Sequence, residues 1–262
     1  MLEKPKHLAL QYGAQFKDRS IVEAYQYRPP YPVEVFDILA ELISTESRRV
    51  LDAGCGTGYL ARNFVRYVEQ LDAVDFSQHM IETGKRLPGG DHSHLRWIYG
   101  AVEDVVLDPP YGLVMAGESL HWMDWSVVLP RFKEVLVPGG YLAIISHDNT
   151  LPEPWYNVLH EIIPRYSTNK DFEPYDLIEE LEARGLFQKV GEKTTAPVPF
   201  VQSIDDYIES FHSRNGFSRD RMGPEQAAAF DQEAREILLR SHTDGVMSLQ
   251  VVGSVIWGLP IG

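Results

Sequence analysis

The stretch Asp52-Ala53-Gly54-Cys55-Gly56-Thr57-Gly58 carries the densest chemical signal in the chain. It follows the apolar, β-leaning Val50-Leu51 and leads into a helix-forming run from Leu60. Glycines at this density mark a tight turn where backbone approaches a ligand. In an open α/β sheet such a turn lies at the carboxyl end of a strand, where ligands sit. A dinucleotide-binding turn would need glycine where Tyr59 stands. Asp52 would also repel a pyrophosphate resting on the following helix N-terminus. Both features favour a ligand with an ammonium and no phosphate. Asp75 lies about twenty residues further on, the spacing at which an acid meets ribose hydroxyls. A carboxylate accepts two hydrogen bonds, and a ribose offers two neighbouring donors.

The glycine stretch resembles the first motif of class I S-adenosylmethionine-dependent methyltransferases, acidic-x-Gly-x-Gly-x-Gly. Their donor carries a sulfonium, an amino group and an adenosine. Gly100-Ala101-Val102-Glu103-Asp104 is similar to the family's Gly-Asp-Ala-Glu-Asp segment, with Ala101 and Val102 as departures. Glu118-Ser119-Leu120-His121-Trp122-Met123-Asp124-Trp125 and Tyr25-x-x-Arg28-Pro29-x-Tyr31-Pro32 resemble the small-molecule, trans-aconitate-methyltransferase-like branch. The motifs span residues 16–146. The resemblance implies S-adenosylmethionine as cofactor and a small-molecule acceptor. It implies that Tyr25, Arg28, Asp52, Gly54, Gly56, Val102 and Gly117 surround the donor, with Arg28 on the methionyl carboxylate. Asp75 would hold the ribose, Phe76 and Met80 would cover the adenine faces, and Glu103 would accept from the adenine amino group. Two other readings stay open. One is a nicotinamide-dependent dehydrogenase, the other a noncatalytic donor-binding protein of the same fold.

His121 follows the predicted fourth strand, beside the place where a transferable methyl would lie. It is the candidate proton acceptor. Trp122, His147, Trp155, Phe211, His212 and Arg214 are candidates for the acceptor pocket, because aromatic walls with a few polar groups suit a small organic molecule. Arg214 would hold an acceptor carboxylate. No Ser-His-Asp spacing or histidine cluster points to hydrolysis or a metal site. Asp108-Pro109-Pro110-Tyr111 matches a signature of amino-group and DNA-base methyltransferases, where it follows strand four. Here a strand before it would start only a few residues after strand three, too close for a parallel crossover. The tetrapeptide is therefore expected to be a loop that precedes strand four.

A net charge of -14 opposes nonspecific attraction to nucleic acid phosphates. Cys55 is the single cysteine, so no internal disulfide forms, and between two glycines it reads as a small spacer. No secretory signal or membrane span is evident, and a cytoplasmic location is expected. Alternating strand and helix patterns predict a doubly wound, mostly parallel α/β sheet of seven strands in a single domain. Residues 1–46 would be N-terminal helices, including one over 8–27, and residues 47–146 the donor-binding core. Strands are expected at 49–53, 70–75, 95–99, 112–116, 141–146, 187–195 and 246–257. Ser77 should N-cap the helix after strand two. Residues 147–180 and 203–243 would be lid insertions that bind the acceptor.

Overall fold

The computed structural model describes residues 4–149 and 154–262. Residues 1–3, and residues 150–153 of the expected 147–180 insertion, lie outside the described residues. The N-terminal segment contains two short helices, Leu10–Gly13 (α1) and Arg19–Ala24 (α2), with 3-10 turns around them. The single helix expected over 8–27 is broken at Asp18, whose backbone is extended. Its carboxylate leaves its own helix and accepts from Ser218 Oγ at 2.7 Å and Arg221 Nε at 2.5 Å. Tertiary bonding overrides local helix preference here.

After Glu34–Leu42 (α3), the sheet begins with Arg49–Ala53 (β1). Tyr59–Phe64 (α4), Gln70–Asp75 (β2), Gln78–Arg86 (α5), Leu95–Tyr99 (β3), Tyr111–Gly117 (β4), Trp125–Val135 (α6) and Leu136–Asn149 (β5) follow. These five strands are parallel. The apolar runs are nearly continuous because helices cover both faces. Leu51, Ala53, Val114 and Ala116 pack towards α6, whereas Val50, Leu113 and Met115 pack towards α3 and α4.

The second half contains Pro154–Tyr166 (α7), Leu177–Ala183 (α8), Phe187–Thr194 (β6), Val198–Ser203 (β7), Ile204–Phe211 (α9), Arg219–Met222 (α10), Pro224–Leu239 (α11) and Val246–Pro260 (β8). The strand path is β3-β2-β1-β4-β5-β8-β6, the expected seven. An additional strand, β7, pairs antiparallel with residues 246–251 of β8. Pro199 lies within it, which an edge strand tolerates. The long β8 thus serves two bodies. Residues 251–258 pair with β5, while Met247 and Leu249 enter a separate apolar cluster with α7, α9 and α11. That cluster is the core of a helical cap. Among the described residues, no helix is long and apolar enough to cross a membrane.

The Asp108-Pro109-Pro110-Tyr111 segment runs into the amino end of β4, opposite the strand ends that carry the glycine turn. Its chemistry is internal. Asp108 pairs with Arg49, and the Tyr111 hydroxyl donates to the fully buried Asp72, which also accepts from Arg96 Nε at 2.8 Å. Tyr111→Phe should therefore lower stability by about 1–2 kcal/mol and leave donor affinity unchanged. Urea unfolding together with calorimetric titration would check both, and a weakened donor would return the segment to the site.

Candidate active site

At the end of β1 the chain turns through Gly54, Gly56 and Gly58, with φ of 71°, 56° and 71°. This left-handed region strains any residue with a Cβ. Space is also short: a Cβ at Gly54 would lie 2.6 Å from Ser119 Cβ. At Gly56 a Cβ would only touch the Tyr25 ring at 3.4 Å, so there the backbone angle alone requires glycine. The turn is fixed to β2. The Gly54 and Cys55 N–H groups both donate to Val74 O at 2.9 Å. The Gly56 N–H donates to Asp75 Oδ2 at 2.8 Å, and the Ser77 N–H to Asp75 Oδ1 at 2.7 Å. Ser77 stands at the N-cap position of α5 as expected, yet its side chain makes no capping bond. Asp75 takes over part of that function. Each of its oxygens keeps a further acceptor direction, enough for a ribose diol.

Two cavities, of about 540 and 600 Å³, open on either side of this turn. The first is lined by Asp75, Phe76, Met80, Val102 and Glu103, against Phe16 and Lys17 of the N-terminal segment. The second is lined by Arg28, Tyr31, Asp52, Gly117 and His147. Tyr25, Gly54 and Glu118 line both. The structure thus brings together every residue expected around the donor. Asp52 is 1% exposed, and its Oδ2 has no hydrogen-bond partner among the described residues. Burial pushes its carboxyl up to about 7 and that of Asp75 up to about 6. A buried acid with one unpartnered oxygen, beside a glycine cradle, fits a ligand ammonium. Arg28 Nε donates to Ser213 Oγ at 2.7 Å, and its guanidinium lies 4.2 Å from the Tyr25 ring centre. Glu103 Oε1 already accepts from the Asp124 N–H at 2.9 Å, so an adenine amino group would share that carboxylate.

The residues expected to bind the acceptor separate. His147 is at the second cavity, edge-on to Tyr31 at 4.6 Å. Trp122 walls the first cavity instead, packed against Phe16. Trp155, Phe211 and His212 are buried in the cap. Trp155 and Phe211 are part of its apolar core, and His212 bridges Phe217 O and Asp231 Oδ1 at 2.8 and 2.7 Å. Phe211, His212 and Arg214 therefore do not form one patch. α9 ends at Phe211, and only Arg214 turns out of the core, its guanidinium 4.2 Å from the Phe211 ring centre. His121 lies against Trp122 and lines neither cavity. Burial, with Lys4 and Arg28 nearby, lowers its pKa to about 3. His147 is lowered to about 4, chiefly by burial and then by Arg28 and Arg214. Both imidazoles are neutral and weakly basic at neutral pH. Sequence reasoning passed over Glu118, Tyr31 and Lys17 as site residues. Nothing in a residue's identity reveals the positive φ of 51° at Glu118.

Asp75→Ala should weaken donor binding by about 1.5–3 kcal/mol through the lost charged acceptor. Unchanged affinity by calorimetry would remove Asp75 from the ribose. The pH dependence has a definite sign. Asp52 and Asp75 stand above the ordinary 3.8, so their contribution to folding is full below that pH and is lost as pH rises through about 6 to 7. Attraction to a donor ammonium follows the opposite course, because it needs the ionised acids. Donor affinity should rise between about pH 5.5 and 8, and a flat calorimetric profile would contradict this.

Comparison with known proteins agrees with this geometry. A family model described as a methyltransferase domain matches residues 50–140. An uncharacterized methyltransferase of Mycobacterium tuberculosis is 33% identical over 149 residues, covering 56% of this chain and 58% of the relative. A trans-aconitate 2-methyltransferase of Methylobacterium nodulans is 33% identical over 130 residues, 48% of each chain. The chain thus spans 48–58% of the length of these curated relatives. A candidate type II methyltransferase from Anaeromyxobacter dehalogenans superposes with a TM-score of 0.65 at 21% identity, covering 89% of this chain and 99% of that one. A methyltransferase from Thiobacillus denitrificans, solved with S-adenosyl-L-homocysteine, gives 0.52 at 16% identity, covering 92% and 97%. Residues 50–140 are a methyltransferase domain, and the chain that holds them has the fold of S-adenosylmethionine-dependent methyltransferases.

Proposed function

We propose that the chain transfers a methyl group from S-adenosylmethionine to a small-molecule acid, at a carboxylate oxygen. The observation that carries the donor half is the buried Asp52, which lines the second cavity beside the glycine turn with its Oδ2 unpartnered among the described residues. When bound, the donor supplies an electrophilic methyl on a positively charged sulfur. Asp75 holds the ribose, Phe76 and Met80 flank the adenine, and Glu103 accepts from its edge. Asp52 takes the ammonium and Arg28 the methionyl carboxylate. The N-terminal segment and the cap exclude water, and the chain's remaining task is alignment.

Two features support an acid as acceptor. Arg214 stacks on the Phe211 ring and is in no salt bridge among the described ion pairs, although the Asp148 carboxylate acts on it electrostatically. A guanidinium so placed suits a carboxylate. The neighbouring histidines are poor bases, lowered to about 3 and 4, so a nucleophile that arrives already ionised is favoured. The Methylobacterium nodulans relative is named as a methyltransferase of trans-aconitate, a carboxylate. A noncatalytic donor-binding protein would bind the donor without turnover.

The test is a panel of mono-, di- and tricarboxylates, with neutral analogues, incubated with isotope-labelled donor and read by product mass. Carboxylates should turn over and their neutral amides should not. Arg214→Ala should raise the acceptor KM about tenfold or more while donor Kd stays constant. Turnover of the neutral analogues at equal rates would exclude the acid reading, and a wild-type KM would take Arg214 out of the pocket.

A further inference from the structure

The donor reading places adenosine in the first cavity and the amino-acid end in the second. The sulfur joins the 5′ carbon to the methionyl chain, so it falls where the two cavities meet. Tyr25, Gly54 and Glu118 are the residues that line both. Gly54 has no side chain to offer, and burial holds the Tyr25 hydroxyl above its ordinary value, in its neutral form. Glu118 brings the one carboxylate to the junction.

Its placement is built into the sheet. Glu118 follows β4, and among the described residues it is the one non-glycine residue with positive φ. Its N–H donates to Ile145 O at 3.0 Å, and its Oε1 accepts from the His147 N–H at 3.2 Å. Both bonds reach β5, so backbone and side chain are pinned to the neighbouring strand. Strained backbone of this kind persists only where surrounding structure overdetermines it, and it concentrates at functional sites. Burial raises its carboxyl above the ordinary value and Asp148 adds to this, while the His147 N–H, Arg28 and Arg214 favour the ionised form that a cationic ligand would draw out.

We propose that Glu118 is the counter-charge of the donor sulfonium, and that it lets the site distinguish the methylated donor from its thioether product. This rests on the donor reading above. In the transfer, the acceptor oxygen forms a bond to the methyl carbon. The carbon–sulfur bond breaks, and its electron pair stays on sulfur. The sulfonium becomes a neutral thioether, and the attraction to Glu118 disappears at that moment. Product is then held by the ribose, adenine and amino-acid contacts alone, which favours its exchange for fresh donor.

The experiment measures Kd by calorimetry, with no acceptor present, for three ligands: S-adenosylmethionine, S-adenosylhomocysteine, and a donor analogue with a protonated amine in place of the sulfonium methyl. The proteins are wild type, Glu118→Gln and Glu118→Gly, with folding verified by thermal melts. Glutamine keeps the shape and removes the charge. Glycine removes the charge and relieves the backbone, so it folds even if glutamine does not. Both variants should weaken the two cationic ligands about tenfold and leave the thioether within about twofold. Equal weakening of all three ligands, or of none, would overturn the proposal while leaving the donor reading intact. Failure of the wild-type protein to bind any of them would overturn both.

Discussion

The Asp75 carboxylate joins three pieces of chain that must sit together: the turn after β1, the end of β2 and the start of α5. One oxygen accepts the Gly56 N–H and the other the Ser77 N–H. At 6% exposure the group costs desolvation energy that these two bonds offset only in part, since its carboxyl stays raised to about 6. The Gly56 N–H points at it only because the preceding glycines take left-handed angles that other residues resist. The same carboxylate therefore shapes the loop and presents its remaining lone pairs to the cavity. The structural role of this residue and the binding role proposed for it rest on the same two oxygens.

Charge gives the site its character. Asp52 and Asp75 are both buried at the same turn; burial is the dominant cause that raises each, and the Asp75 charge raises Asp52 further. An unligated site of this kind is electrostatically unfavourable, since buried acids lack a full set of partners. A ligand that brings an ammonium and a sulfonium supplies what the protein leaves out. This also explains why the dinucleotide alternative fits poorly. A pyrophosphate would add negative charge where burial already penalises it, and Tyr59 occupies the place of the third glycine.

Much of this was legible in the residue pattern. β1, β2 and β3 run over the residues their apolar runs mark, because each run is short and bounded by polar residues, and β1 and β2 are buried along almost their whole length. The glycine turn and Asp75 were legible because their spacing is imposed by one turn and one crossover. The N-terminal helix was misread because Asp18 bonds to residues some two hundred positions away, which no local pattern encodes. β7 was hidden by Pro199 and by its alternation being set by a partner, β8, that comes later in the chain. Trp155, Phe211 and His212 have the composition of a pocket wall, but composition does not say which face of a helix meets other helices. Asp108-Pro109-Pro110-Tyr111 went the other way. Its motif pointed to chemistry, and the crossover length rightly argued for a loop.

The cap shows why an apparently structural residue still belongs to the functional argument. His212 ties the loop after α9 to Phe217 and Asp231. Arg219 holds the same region through Glu209 at 2.6 Å and Asp231 at 2.9 Å. Between these ties lie Ser213, which receives Arg28 of the N-terminal segment, and Arg214, stacked on the Phe211 ring. The ring that fills the cap core is thus also the platform for the Arg214 guanidinium. The loop that closes the cap also positions the arginine assigned to the methionyl carboxylate. The groups proposed to meet donor and acceptor are therefore linked through one short, heavily bonded loop. Arg28 has a second support in Tyr25, whose hydroxyl accepts from it at 3.3 Å and whose ring it covers, so moving the loop's anchor would bear first on Arg214.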